Sequence, residues 1–352
     1  MINLNLGNIC LSSSLPDKFT ITQADDVITC IVELDGTVVY STTLFSNEHT
    51  ATFYDLGKLI NEYMRMHHIV FASFSFEVRN QGGSEVLDDV TIVYSAIRHD
   101  MQDDGAFLAS HFLTTRRSYN IPHGYNFFLT FFADADEQLL VEISAVFIKD
   151  GIATYKSYSN TLQSRMEPAY YVVSLDSGTV SAGCSVSESA VGKLASVAVR
   201  VGQRHMTVYY TNEKPTASFL FQNAFNAQEY IHIIGKETLK SDITKKDAVC
   251  MGVSSFYDKS VEKKHLIETC HLTLDEANWF NEFLVSDRVQ FHIEERNRMV
   301  EVLISDITSE IVDSPAEQTR FKFSWRMADN SDWRLIEQPT QIFTDSYNPI
   351  FQ

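Results

Sequence analysis

Residues 271–293 have the sequence HLTLDEANWFNEFLVSDRVQFHI, in which the spacing of the apolar residues changes from that of a helix to that of a strand. Thr273 is followed three residues later by Glu276, a capping box that predicts a helix over residues 274–286. Beyond this helix, apolar residues alternate with polar ones, as in a half-buried strand. These apolar residues are Val289, Phe291 and Ile293. The segment combines a helix with a strand and is the clearest structural pattern in the chain.

The pattern continues outward from this segment. After a turn at residues 295–298, residues 299–305 are predicted to return as a second strand. Residues 320–327 again alternate between apolar and polar side chains, and three of the polar ones are cationic. The apolar members are Phe321, Phe323, Trp325 and Met327. This alternation predicts one apolar and one cationic face, which is typical of a scaffold and supplies no catalytic set.

The first part of the chain also contains strand-like and helix-like spacing of apolar residues. Asp35 and Gly36 separate two strand-like runs, residues 27–34 and 37–43. Because a type I′ turn needs positive φ at both central residues, this Asp-Gly pair predicts a β-hairpin. Residues 54–66 carry apolar side chains at helical spacing and predict a second short amphipathic helix.

Length and composition favour a mainly β protein of several domains. A chain of 352 residues is long for a single core, and its 24 Phe and 15 Tyr favour pleated, half-buried surfaces. We therefore predict a multi-domain, antiparallel β-sandwich-like architecture with two short amphipathic helices. The predicted parts are an N-terminal β domain with one helix (1–99), an apolar and basic connector (100–122), a middle β-sandwich (123–213), a C-terminal β domain with the capped helix (214–333) and a C-terminal arm (334–352).

Further strands are predicted where short apolar runs lie between turn residues. They are residues 70–79, 90–97, 127–132, 139–148, 152–158, 170–175, 196–201, 206–211, 217–225 and 230–234. Residues 181–192 are small and polar and contain neither a nucleophile elbow nor a phosphate-binding loop, so they are predicted to be a loop.

Charge and cysteine usage limit the partners and the compartment. The net charge of −18 repels phosphate backbones, so no nucleic-acid partner is predicted; the acidity serves solubility or a basic partner. Five cysteines without paired spacing indicate reduced thiols and a protein made in a reducing cytoplasm. Residues 1–14 lack the pattern of a signal peptide, and no apolar stretch is long enough to predict a membrane span.

No catalytic, cofactor or metal site is predicted from motifs. The chain has no HExxH, no dinucleotide fingerprint and no recognisable Ser/His/Asp order. His265, Cys270 and His271 lie close together but have the wrong spacing for zinc, so we expect strand positions there, with Cys270 buried. Dispersed carboxylates leave no local signature, so a hydrolase remains the third hypothesis for the function.

Two segments are candidate surfaces for protein partners. Residues 106–122 are apolar with a basic pair, and we expect them either to pack across the junction between domains or to dock on a neighbouring subunit. The C-terminal arm either folds onto its own domain or contacts an adjacent chain. The candidate interface residues are Phe107, Phe112, Leu113, Arg116, Arg117, Tyr119, Phe343, Tyr347, Ile350 and Phe351.

Five blocks in this order resemble structural tail or baseplate-type proteins of phages and prophages of Bacteroidales. They are the Asp-Gly hairpin, TFYDLGKLINEYM (52–64), FLASHFLTTRRSYNIPHGYNFFLTFFAD (107–134), ASFLFQNAFNAQEYIHIIGK (217–236) and the opening segment with TRFKFSWRMAD (319–329). The resemblance implies a β-rich, non-enzymatic building block of a virion tail or related injection particle. It also implies assembly in the bacterial cytoplasm as a symmetric homo-oligomer with other particle proteins.

Three functions follow from these observations. The first is a structural particle protein that acts through protein–protein interfaces. The second is a glycan-binding β-sandwich, because Tyr and Trp side chains form platforms for sugars. The third is a hydrolase with dispersed carboxylates.

Overall fold

The computed structural model describes residues 2–4, 6–99, 103–250, 253–293, 298–311 and 319–328. Its sheets contain three, two, five, seven and five strands, which confirms a mainly β protein. The C-terminal arm, with Phe343, Tyr347, Ile350 and Phe351, lies outside the described residues.

The N-terminal unit contains two sheets and one long helix. Its elements are β1 (Ile2–Asn3), β2 (Ile9–Leu11), a 3-10 helix (Ser12–Ser14), β3 (Lys18–Thr22), β4 (Val27–Leu34), β5 (Thr37–Phe45), β6 (Thr50–Tyr54), α1 (Leu56–Met66), β7 (Phe71–Asn80) and β8 (Gly83–Val93). The sheet orders are β1-β3-β6 and β2-β8-β7-β4-β5. Asp35 and Gly36 have φ values of 49° and 71°, so the predicted hairpin turn is confirmed. The predicted helix is α1.

The middle unit begins inside the predicted connector. Its elements are α2 (Asp104–Ser110), β9 (Ser118–Pro122), β10 (Phe128–Ala133), β11 (Leu140–Lys149), β12 (Ile152–Thr161), β13 (Ala169–Ser174), α3 (Ser177–Gly183), α4 (Glu188–Val191), β14 (Lys193–Val201) and β15 (Arg204–Thr211). The larger sheet has the order β12-β11-β14-β15-β9, and β10 pairs with β13. β9, which ends the predicted connector, therefore belongs to the larger sheet of the middle unit.

The C-terminal unit is one large sheet with a helix packed on it. Its elements are β16 (Ala217–Gln222), β17 (Gln228–Ile233), β18 (Gly235–Cys250), β19 (Val253–Thr269), α5 (Leu274–Val285), β20 (Val289–Ile293), β21 (Arg298–Thr308) and β22 (Lys322–Met327). The order is β17-β16-β20-β21-β22-β19-β18. Thr273 and Glu276 exchange both capping hydrogen bonds, which confirms the capping box. Phe321, Phe323 and Trp325 form the buried face that the alternation predicts.

The structure adds two features to the predicted architecture. Each of the two five-stranded sheets contains one parallel pair of strands, β2 with β8 and β9 with β15. Three helices, α2, α3 and α4, were not predicted; α3 overlaps the start of the predicted loop at residues 181–192, and α4 lies within it. These helices have seven, seven and four residues, too few to show amphipathic spacing. α3 begins where the carboxylate of Asp176 accepts a hydrogen bond from the Thr179 amide.

Each unit has a core of its own, and a fourth apolar cluster joins the units. Most of that cluster comes from the ends of strands and from the connector. Its buried members are Leu11, Val93, Phe107, Leu108, Leu113, Phe132, Ala224, Phe225 and Ala227. The connector is therefore part of the interior at the junction. The domain boundaries given above stay a prediction.

Candidate interaction surfaces

The apolar residues of the predicted connector interface are buried within this chain. Phe107, Phe112, Leu113 and Tyr119 are 9%, 2%, 1% and 3% exposed. Phe112 and Tyr119 belong to the core of the middle unit, whereas Phe107 and Leu113 belong to the cluster that joins the units. Their assignment as a surface for another chain is therefore corrected: they pack across the junction, because α2 and β9 order the connector against its neighbours.

The two arginines of the connector have different environments. The Arg116 side chain is 8% exposed. Its guanidinium lies over the rings of Tyr119 and Trp279, with centroid distances of 5.6 and 5.1 Å. Arg117 is exposed. Of the predicted interface residues that the structure describes, Arg117 therefore remains a surface residue.

A buried carboxylate, Glu229 on β17, holds the connector and α5 together. Its Oε1 accepts hydrogen bonds from Tyr119 and from Nε1 of Trp279, the latter at 2.6 Å. Its Oε2 accepts from Nδ2 of Asn223 at 2.6 Å. Thr114 donates from its hydroxyl at 3.2 Å. Four donors from three separate segments therefore meet one carboxylate.

Burial raises the pKa of the Glu229 carboxyl to about 7, although the hydrogen bonds from Tyr119, Asn223 and Trp279 favour its charged form. Glu282 on α5 is a second enclosed carboxylate, and burial raises its pKa as well. Its oxygens accept from Thr115 and from the Ala224 amide. These contacts fix the connector against β17 and α5.

The hairpin of β18 and β19, which we call the ribbon, carries many exposed side chains. β18 pairs with β19 along its length and is the edge of the seven-stranded sheet. β19 pairs with β22 from His265 to Glu268. Beyond that point, among the described residues, the two strands pair only with each other, from Lys240–Lys264 to Cys250–Val253. At 3.3 Å per residue this free part is about 35 Å long.

One face of the ribbon carries exposed apolar side chains. Leu239 and Ile243 are four residues apart on β18 and share a face. They are 54% and 57% exposed. Phe256 is 67% exposed, and Nζ of Lys245 lies 5.2 Å from its ring centroid, which places it on the same face. A two-stranded ribbon is marginally stable alone in water, so such a face is expected to have a partner.

Two further edge strands are exposed. β5 and β12 end their five-stranded sheets. Phe45 on β5 is 79% exposed, and Ile152 and Tyr155 on β12 are 71% and 76% exposed. An edge strand presents unpaired backbone groups that another chain can pair with.

The sequence did not predict β18 or most of β19. A strand is recognised by alternation between buried and exposed faces, but both faces of the ribbon contact solvent, so polar residues occupy both. The usable signal is weaker: residues 235–269 contain no Pro, and β-branched residues recur among the charged ones.

His265 lies on β19, as expected, but Cys270 and His271 lie beyond the end of that strand. His265 stacks on Trp325 at 4.1 Å between ring centroids and makes a hydrogen bond of 2.8 Å with Glu237. Cys270 is exposed rather than buried, because it follows the last residue of β19. Within the part of the chain that the structure describes, no group of three potential metal ligands is found.

Comparisons with known proteins give weak similarities. No protein-family model matches the chain, and no curated protein sequence matches it. The structure of the phage p2 baseplate in its activated conformation with Sr matches with 13% identity and a TM-score of 0.20, over 30% of this chain and 43% of that chain. The full extracellular region of Plexin A4 matches with 9% identity and a TM-score of 0.20, over 90% of this chain and 35% of that chain.

The chain thus spans less than half the length of either structure. The similarity to a baseplate chain is partial and weak, and TM-scores this low carry no argument about function. A separate finding concerns membranes: none of the helices in the described ranges has the length and apolar character needed to cross one.

Proposed function

We propose that this chain is a structural protein that acts through protein–protein interfaces, and that the ribbon is its principal contact with a neighbouring copy. The observation that carries the proposal is the apolar face of Leu239, Ile243 and Phe256 on the ribbon. Over about 35 Å of its length, the two strands of the ribbon pair with no further strand among the described residues. Contact with a second chain would remove this face from water, which is favourable for association.

The distribution of charge supports a second copy as the partner. Residues 235–269 contain seven Lys and six Asp or Glu, a net charge of +1, so the other residues carry −19. Copies of so acidic a chain repel each other. The ribbon carries almost no net charge, so this repulsion acts only weakly on it, and its lysines attract the acidic surface of a neighbour.

The finer proposal is a component of a phage tail, a baseplate or a related injection particle, assembled in the bacterial cytoplasm with other particle proteins. It rests on the resemblance of the sequence blocks described above. The exposed edges β5 and β12 support it, since a ring of copies or a partner chain can cover them. The proposal includes no enzymatic activity.

The tryptophan side chains give no support to glycan binding. Trp325 is buried, and Trp279 is half-buried within the Glu229 network. Trp333 lies outside the described residues. Neither of the two described Trp side chains therefore offers the flat exposed surface on which a sugar ring stacks.

The test is the mass of the purified protein across concentration, by light scattering. The wild-type protein is expected to form an oligomer that grows with concentration. Replacing the three apolar residues of the ribbon, Leu239→Ser, Ile243→Ser and Phe256→Ser, is expected to raise the concentration for half-association at least about tenfold. This corresponds to a loss of about 1.4 kcal/mol or more.

A matched control removes three exposed apolar side chains outside the ribbon. These are Met66→Ser, Met166→Ser and Val285→Ser, at positions 68%, 88% and 76% exposed. The concentration for half-association of this triple variant is expected to stay close to that of the wild type. If the wild-type protein is monomeric at every concentration, or both triple variants weaken association equally, the ribbon is not the contact between copies.

A further inference from the structure

The guanidinium of Arg116 is buried and incompletely satisfied. Its side chain is 8% exposed, and among the described residues its Nε donates to no acceptor. Glu276 lies near it, with Oε1 at 3.7 Å from Nη2, which is an ion pair but too long for a hydrogen bond. An arginine carries five N–H donors, and enclosing them without acceptors costs free energy. Such a group in a folded protein calls for a partner.

The surrounding contacts hold Arg116 and Glu276 apart. Oε2 of Glu276 accepts hydrogen bonds of 3.0 Å from the amide and the hydroxyl of Thr273, so the capping box keeps this carboxylate at the start of α5. The rings of Tyr119 and Trp279 fix the guanidinium from the side of the connector and from the helix. The arginine is therefore oriented in advance of any ligand.

Arg116 lines a cavity of about 220 Å³ between the connector, β17 and α5. Aromatic side chains form much of the wall, including Phe127, Tyr230 and Phe280. The same guanidinium lines an outer groove, which Arg117 lines as well. The cavity thus combines apolar walls with a cationic group whose Nε has no hydrogen-bond acceptor in the part of the chain that the structure describes. That combination is typical of small-molecule sites.

We propose that this cavity binds a small monocarboxylate with an apolar body, and that Arg116 recognises the carboxylate. The planar guanidinium matches a carboxylate with two parallel hydrogen bonds, and the aromatic walls take the body of the ligand. Glu213 and Glu276 also line the cavity. Their charge disfavours a dianion such as phosphate more strongly than a monoanion. This site is independent of the ribbon and of the proposed assembly.

Binding of phenylacetate to the full-length protein tests the proposal, with phenylacetamide as a probe of nearly the same shape and no charge. Calorimetry, or the shift of the Trp279 indole N–H signal in NMR spectra, measures the affinity. Phenylacetate is expected to bind at least tenfold more tightly than phenylacetamide. Arg116→Gln is expected to remove this preference, because charge-assisted hydrogen bonds are lost. Arg117→Gln removes the same charge from the outer groove and is expected to change the affinity less than twofold.

Glu276→Gln distinguishes recognition from a structural role. Gln keeps the capping box, but the negative charge beside Arg116 is lost, so phenylacetate is expected to bind at least threefold more tightly. If Arg116→Gln does not fold, Arg116→Lys keeps the charge without the planar fork, and a tenfold loss is expected. Equal binding of phenylacetate and phenylacetamide, competition by inorganic phosphate at equal concentration, or no saturable binding at millimolar phenylacetate would overturn the proposal.

Discussion

Nε1 of Trp279 donates a hydrogen bond of 2.6 Å to Oε1 of Glu229, a carboxylate 50 residues earlier in the chain. Glu229 is 4% exposed, so its charge is far from bulk water. A buried carboxylate is tolerated when donors surround it, and one of these donors belongs to α5. The position of α5 and the ionisation of Glu229 therefore depend on each other.

The first prediction concerns the pH dependence of stability. Glu229 ionises near its ordinary pKa of 4.5 when the chain is unfolded, but near 7 in the folded protein. Between these values the unfolded chain releases a proton that the folded chain keeps, so the free energy of unfolding falls as the pH rises. At about 1.4 kcal/mol per pH unit the loss is about 3 kcal/mol. Urea unfolding followed by Trp fluorescence from pH 5 to pH 8 measures it.

Glu229→Gln isolates this contribution. The Gln amide does not ionise, so the free energy of unfolding of this variant is expected to depend on pH less steeply than that of the wild type. Glu142→Gln, an exposed carboxylate on β11, serves as the control and should retain the wild-type slope. Equal slopes for all three proteins would show that Glu229 does not govern the decline.

The second prediction concerns Arg204, which is 1% exposed and ties α2 to the middle sheet. Its guanidinium donates to Glu137 at 2.6 Å, to the carbonyl of Leu108 at 2.9 Å and to the carbonyl of Phe132 at 2.7 Å. Arg204→Met leaves these acceptors without a donor, so we expect a loss of about 3 kcal/mol in the free energy of unfolding. Denaturant unfolding measures it.

Arg200→Met is the matched control. Arg200 lies on the neighbouring strand β14 with a side chain 66% exposed, and its oxygen partner on Glu142 is 3.9 Å away. Exposed ion pairs contribute little, so the change should stay below about 0.5 kcal/mol. Similar losses in the two variants would contradict the role assigned to Arg204.

Local signals account for what the sequence predicts correctly. The capping box of Thr273 and Glu276, and the Asp35-Gly36 turn, each depend on residues within four positions of one another. The Glu229 network has no such signal, because Tyr119, Asn223 and Trp279 come from three separate segments. Only the fold brings them to one carboxylate, so the sequence alone could not assign Glu229 a role.

The connector shows a second limit of prediction from sequence. Its apolar residues signal burial correctly, but composition does not say whether the covering surface belongs to the same chain or to another. Phe107 stacks near Phe225, with ring centroids 6.2 Å apart, from a segment more than 100 residues away. A surface for a partner and a junction within one chain have the same composition, and topology decides between them.

The third prediction concerns Asn226, which joins the N-terminal and C-terminal units. Its Nδ2 donates to the carbonyls of Met64 and Ile69, each at 3.0 Å, and its φ is 53°. Asn226→Gly keeps this backbone conformation but removes both hydrogen bonds to the N-terminal unit, so a loss of about 1–3 kcal/mol is expected. Asn226→Ala should lose about 1 kcal/mol more, because alanine disfavours positive φ. Thermal and urea unfolding of both variants measure the difference, and equal stability to the wild type would exclude this link.

The fourth prediction concerns Gly235, the first residue of β18, at the base of the ribbon. A Cβ at this position would lie 2.2 Å from the carbonyl oxygen of Glu268 and 3.0 Å from Cα of Thr269. Gly235→Ala must therefore separate β18 from β19 at the base, at a cost of about 1–3 kcal/mol. At Gly82 an added Cβ meets nothing within 4 Å, so Gly82→Ala is the control and should change stability by less than about 0.5 kcal/mol.

The same variant connects the fold to the proposed assembly. The base of the ribbon sets the direction in which Leu239, Ile243 and Phe256 project, so displacing it should weaken association between copies as well as stability. Light scattering of Gly235→Ala at a temperature where it remains folded is expected to show a smaller oligomer than the wild type. If the stability of Gly235→Ala falls but its association is unchanged, association between copies does not depend on the position of the ribbon.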